Sequence, residues 1–198
     1  MAKRQKSTLD RRDALRAILA KRGDALLVTG LGSTCYDAGT MDHPNTFYLW
    51  GGMGAAAMVG LGLALAQPTR RVIVATGDGE MLMALGSLAT IGADRPRNLA
   101  IVVMDNELYS ETGMQPTHTS RGVDLAAMAK AAGFARTGTV HNLKQLSAWV
   151  PPLYKTPGPV FLVAKITSQR YPMSIRLRDG TAIKNRFREA LLGSKAFD

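Results

Sequence analysis

Four short runs rich in β-branched residues decide what this chain can fold into: Ala25–Thr29 (ALLVT), Arg71–Thr76 (RVIVAT), Leu99–Met104 (LAIVVM) and Pro159–Ile166 (PVFLVAKI). They are nearly free of the apolar–polar alternation that a strand with one wet face shows, so each is expected to be a strand buried on both faces. Helices are expected between them at Met53–Ala66, Glu80–Gly92, Asp124–Ala132 and Leu143–Tyr154, each opened or closed by Gly, Pro, Asp or Asn. A first helix, within 7–22, is expected to be capped by Ser7 or Thr8, to carry Leu9, Leu15, Ile18 and Leu19 on one face and to end before Gly23. Strands alternating with helices imply right-handed crossovers. The expected fold class is therefore α/β, a doubly wound parallel sheet with helices on both faces.

A length of 198 residues fits one such core, spanning 1–198, better than two. A lone cysteine, Cys35, excludes an intrachain disulfide and a cysteine metal cluster, and no apolar stretch is long enough to span a bilayer. The expectation is a soluble cytoplasmic protein without a membrane role. The net charge of +10 raises nucleic acid as a partner, but its placement argues against one. Residues 1–22 hold eight basic against two acidic side chains, and residues 165–198 hold eight against three, whereas the central body carries nine against ten. A neutral body with basic ends suits partner docking or attraction of an anionic substrate better than a basic binding stripe.

In an open parallel sheet, ligands bind at the carboxyl ends of the strands. After RVIVAT comes Gly77-Asp78-Gly79 and then a helix near Glu80; after LAIVVM comes Asp105-Asn106-Glu107-Leu108-Tyr109. A separation of 28 residues from Asp78 to Asn106 is one helix, one turn and one strand, so the two side chains should emerge from neighbouring strand ends. A carboxylate and an amide oxygen are hard ligands suited to Mg²⁺, which completes its shell with phosphate oxygens and water. Glycines beside Asp78 let backbone approach a diphosphate, and the next helix offers free N–H groups. An isolated Gly-Asp-Gly is usually an ordinary turn; the strand before, the helix after and the second Asp-Asn loop make this one a metal–diphosphate corner.

The segment GDGEMLMALGSLATIG…NLAIVVMDNELYSETGMQPTHT resembles the thiamine diphosphate (ThDP) binding motif, and most of the chain is similar to the beta subunits of sulfopyruvate and phosphonopyruvate decarboxylases. The resemblance implies that Asp78 and Asn106 bind Mg²⁺ by side chain and Leu108 by its carbonyl. It implies that Gly52, Gly77, Gly79, Glu80 and Tyr109 lie against the cofactor, and that Met53, in Trp50-Gly51-Gly52-Met53-Gly54, supports its bent form. It also implies a separate pyrimidine-binding, alpha-type subunit that supplies the activating glutamate, and hence a hetero-oligomer acting on a 2-oxo acid. His118, in the QPTHT loop, is the candidate catalytic residue, while His43 and His141 are expected to be structural or exposed. Glu80 stands where the family often has Ser, and Ser110 where Gly is common. Anion contacts to such a substrate are expected from His118, Arg121 and the basic segment Arg176–Arg188, folded over the site within 167–198.

Other readings stay open on sequence alone. Gly52-x-Gly54-x-x-Ala57 fits a dinucleotide fingerprint loosely, but Thr46–Trp50 before it is a poor strand and no acidic residue follows at the required place. A non-catalytic scaffold with the same fold, or an enzyme using another 2-oxo acid such as pyruvate, also agrees with the residues.

Overall fold

The computed structural model describes residues 7–174 and 177–197. A six-stranded, all-parallel sheet forms the centre, in the order β2-β1-β3-β4-β8-β7. Its strands are β1 (Leu26–Thr29), β2 (Thr46–Tyr48), β3 (Val72–Gly77), β4 (Leu99–Asp105), β7 (Arg136–Val140) and β8 (Val160–Lys165), with a small antiparallel pair β5 (Leu108–Tyr109) and β6 (Gln115–Pro116) outside it. The helices are α1 (Arg11–Leu19), α2 (Ser33–Gly39), α3 (Ala56–Ala66), α4 (Asp78–Met83), α5 (Ser87–Asp94), α6 (Leu125–Ala131), α7 (Leu143–Lys155) and α8 (Gly180–Leu192).

The expected α/β sheet is therefore present, and its packing explains the missing alternation. Along β3 and β4, Ile73, Ala75, Ala100 and Val102 enter a core shared with α1, α2 and α7. Their neighbours Val72, Val74, Ile101 and Val103 enter a second core shared with α3, α5 and α6. Successive side chains point to opposite faces, and both faces are covered. Each Val or Ile withdrawn from water here contributes about 1.5–3 kcal/mol, so the central strands anchor the loops at their ends.

Several boundaries differ from expectation. Helix α1 begins at Arg11 and is capped by Asp10, whose carboxylate accepts from the N–H groups of Arg12 and Asp13. Ser7 instead donates its hydroxyl to the carbonyls of His141 and Lys165, tying the chain to the edge of the sheet. The single helix expected over Glu80–Gly92 is two, α4 and α5, broken around Leu85-Gly86, and α4 already starts at Asp78. Thr46–Tyr48, read as a poor strand, pairs in parallel with β1. Helix α8 covers that edge: Phe187 packs edge-on against Phe47 with ring centroids 5.5 Å apart, and Arg186 pairs with Asp42 at 2.8 Å. The basic C-terminal segment thus closes a sheet edge; its Arg176 lies outside the described residues, as do Lys3, Arg4 and Lys6 of the N-terminus. Among the described residues no helix is long and apolar enough to cross a membrane.

Candidate functional site

The carboxyl ends of β1, β3 and β4 open into a cleft of about 730 Å³ including its mouth, with Met53, Gly77, Asp78, Gly79, Glu80, Asn106, Leu108 and Tyr109 among its lining. Gly52 precedes Met53 in the turn leading to α3. All the residues expected to touch cofactor or metal except Gly52 thus line this cleft, whereas His118 and Arg121 are exposed on a 3₁₀ turn (His118–Arg121) and are not part of the lining.

Asp78 ends the path of β3 and is only 2% exposed. Its Oδ2 accepts from Thr117 Oγ1 at 2.6 Å. The Thr117 hydroxyl also lies 2.9 Å from that of Thr119, which donates to Asp105 Oδ1 at 2.9 Å. Two carboxylates are therefore linked through two buried hydroxyls. Lys165, at the end of β8, sits 2.6 Å from Asp105 and 2.9 Å from Glu107 and so serves the second carboxylate. Burial, and then the charge of Asp105, push the Asp78 carboxyl up to about 6. A carboxylate held this way is short of one positive charge, which a divalent cation would supply.

The second loop is shaped for the same purpose. Glu107 adopts φ +67°, turning the backbone sharply, and its carbonyl accepts from Thr117 N–H at 2.8 Å. Asn106 Oδ1 accepts from Leu108 N–H at 3.0 Å, and its amide donates to Ser110 Oγ at 2.8 Å. Ser110 therefore steadies Asn106, which a glycine there would leave unheld. No three His, Cys, Asp or Glu side chains gather as a metal cage among the described residues. A Mg²⁺ bound by one carboxylate, one amide, one carbonyl and diphosphate oxygens needs no such cage. The space above Gly77 is open, while a Cβ on Gly79 would meet the Tyr109 ring at 2.6 Å. Gly77 thus leaves room for a phosphate, and Gly79 lets Tyr109 close down on α4. The residues fit a metal-bridged diphosphate.

Glu80 does not turn outward; its carboxylate is taken up by protein donors. Oε2 accepts from Leu31 N–H at 3.1 Å and from Thr76 Oγ1 at 2.7 Å, and Oε1 accepts from Gly54 N–H at 3.3 Å. It braces the loops after β1, β2 and β3 against one another. Gly30 is required beneath it, since a Cβ there would lie 1.7 Å from Oε2. The Glu80 side chain thus serves as a brace, while its backbone stays on the cleft at the first turn of α4.

Sequence reasoning missed Thr117, Thr119, Lys165 and Arg11. Lys165 carried a signal, as a single cation inside the apolar run PVFLVAKI. The threonines flank His118, the residue that drew attention, and it is they that turn inward.

Known proteins place this arrangement. Residues 30–164 match the family described as thiamine pyrophosphate enzyme, C-terminal TPP binding domain. The chain is 42% identical to phosphonopyruvate decarboxylase of Streptomyces viridochromogenes over 75% of this chain and 38% of that protein. It is 43% identical to sulfopyruvate decarboxylase subunit beta of Methanothermobacter thermautotrophicus over 64% of this chain and 68% of that one. Benzoylformate decarboxylase from Polynucleobacter necessarius shares the fold, with a TM-score of 0.65 at 22% identity over 87% of this chain and 36% of the other. The chain belongs to the TPP-binding domain family of thiamine pyrophosphate enzymes, whose cofactor is ThDP with Mg²⁺ typical of the family.

Proposed function

We propose that this chain is the diphosphate- and Mg²⁺-binding subunit of a ThDP-dependent 2-oxo acid decarboxylase that converts sulfopyruvate or phosphonopyruvate to the aldehyde and CO₂. The observation that carries this reading is the pairing of Asp78, a buried carboxylate short of a cation, with Asn106 at the neighbouring strand end, in a family whose relatives bear those names. Asp78, Asn106 and the Leu108 carbonyl hold the metal, and through it the diphosphate. The open backbone at Gly77 and the first turn of α4 receive phosphate oxygens. Met53 lies across the cleft as the apolar support, and Tyr109 seals one side against water. ThDP supplies an electron sink for the carbanion left when CO₂ departs.

A separate pyrimidine-binding, alpha-type subunit brings the activating glutamate, giving a hetero-oligomer. The surface supports this: α3 buries Ala57, Gly60, Leu61 and Ala64 on the sheet, yet leaves Met58 40% and Leu65 57% exposed on its other side. Met83, 61% exposed, packs by its Cβ beside Gly54 near the cleft. Exposed apolar side chains of this kind suit a partner's surface. The two sequence departures give the scaffold reading no ground, since Glu80 is satisfied within the protein and Ser110 holds Asn106.

Mixing the chain with its partner in Mg²⁺ and ThDP, and following CO₂ release from sulfopyruvate, phosphonopyruvate and pyruvate, tests the proposal. Activity is expected only in the mixture and with preference for the first two acids. Efficient turnover by this chain alone, or preference for pyruvate, would overturn the split site or the substrate respectively.

A further inference from the structure

The cleft does not end at the cofactor corner. Past Ser33, Ser110 and Glu111 it runs into a second hollow between α1, α2 and the chain that leaves β8, and Arg11 lines both spaces. Arg11 is the first residue of α1 and is 8% exposed. Its Nε lies 3.2 Å from Asp37 Oδ2 without forming a hydrogen bond, whereas Arg12 Nε donates to Asp37 Oδ1 at 2.8 Å. No side-chain nitrogen of Arg11 makes a hydrogen bond among the described residues. Buried guanidinium donors are normally used, so Arg11, which lines both spaces, is open to a further acceptor.

The local charges agree. Asp37 is shared by two arginines, and its carboxyl is pushed up by burial, with Arg12 and then Arg11 opposing that. Asp10 is committed to the first-turn N–H groups of α1 and to the Tyr171 hydroxyl. Glu111 stands exposed at the rim, opposite the exposed Arg170. Arg11 therefore shares Asp37 with Arg12 and feels the charge of Asp10, but its guanidinium is left without a hydrogen bond among the described residues. The Tyr171 ring, with its centroid 5.2 Å from the Arg11 guanidinium carbon, limits its swing. Hydroxyls of Ser33, Tyr36 and Ser110 also line the hollow, while that of Tyr171 is taken by Asp10.

We infer that this hollow is the subsite for the substrate's second anionic group, a tetrahedral sulfonate or phosphonate on the third carbon, with Arg11 as its fixed cation and Arg170 as a mobile one at the mouth. A planar guanidinium offers paired N–H donors to such an oxyanion, and neighbouring hydroxyls satisfy the remaining oxygens. The inference rests on the decarboxylase reading and replaces His118 and Arg121 as the anion contacts.

Its test uses the complete complex with ThDP and Mg²⁺. The measured quantity is the ratio of kcat/KM for sulfopyruvate, or phosphonopyruvate, to that for pyruvate. Arg11→Gln should lower this ratio roughly tenfold to a hundredfold, the usual loss of one charge-assisted contact, mainly through KM. Arg11→Lys should recover part of it. Arg170→Ala, an exposed change that leaves the core intact, should lower it about threefold in the manner of a rim charge, and serves if Arg11→Gln fails to assemble. An active wild type whose ratio is unmoved by these changes overturns the subsite and leaves the decarboxylase reading standing. A wild type inert on all three acids overturns that reading, and the subsite with it.

Discussion

Asp78 and Glu80 lie two residues apart on the first turn of α4 and are buried to the same degree, 2% and 3% exposed, yet their surroundings differ in kind. Glu80 faces the β1 and α3 side, where Leu31, Gly54 and Thr76 all donate to it. Asp78 faces the β4 side, where it meets the Thr117 hydroxyl, a longer contact from that of Thr119, and the like charge of Asp105. Burial raises both carboxyls, but donors offset this at Glu80 while Asp105 adds to it at Asp78. A buried acid that the protein satisfies holds the structure together; one left short of positive charge marks where a ligand belongs.

The largest expected effect that would sharpen this contrast is Asp78→Ala. Losing the only side-chain carboxylate among the proposed ligands should weaken Mg²⁺-dependent ThDP binding by more than about a hundredfold, since even outer partners of metal ligands are worth ten- to a hundredfold. The unliganded chain should keep or gain thermal stability, because the change removes a buried like charge beside Asp105. Calorimetry and thermal unfolding read both. Cofactor affinity within tenfold of wild type would break the assignment.

The second effect is in pH. Metal binds the ionised carboxylate, so with the Asp78 carboxyl near 6, Mg²⁺·ThDP affinity should be flat above about pH 7 and fall about tenfold per pH unit below about 6. The unliganded chain should respond in the opposite sense. A carboxyl raised in the folded state contributes stability that is present below the ordinary carboxylate range and lost as pH rises towards 6. Asp78→Ala should erase both dependences, and persistence of the affinity profile in that variant would assign it to another group.

The same contrast explains what the sequence could show. Central strands β3, β4 and β8 were legible because burial on two faces writes an almost continuous apolar run. Edge strands were not: β7 is Arg-Thr-Gly-Thr-Val, half exposed, and β2 has three residues beside α8. That Asp78 and Asn106 would share one cleft was legible because each sits in a loop at the end of a neighbouring, readable strand. The direction of Glu80 was not, since its donors come from two separate loops and the end of β3. Nor were Arg11 and Lys165, whose partners Asp37 and Asp105 are brought to them only by the fold. Local sequence names the candidate ligand-binding groups, while long-range packing decides which charged neighbours brace them.

The smallest effect, and the most direct check on the brace, is Glu80→Gln. The amide keeps the size of the side chain and one acceptor oxygen, but its NH₂ must face either the Gly54 N–H or the Leu31 N–H and Thr76 hydroxyl, all of which donate in the wild type. A donor set against donors leaves at least one buried group unpaired, at a cost of roughly 1–3 kcal/mol. Unfolding stability should therefore drop by about that much. Mg²⁺·ThDP affinity should fall only a few-fold, through loosening of the Gly54 turn that carries Met53, since the charge lost is engaged by Leu31, Gly54 and Thr76. Urea unfolding beside cofactor titration separates the two. A stable Glu80→Gln chain whose cofactor affinity collapses as far as that of Asp78→Ala would show that Glu80 serves the ligand after all, and would erase the distinction between the two carboxylates.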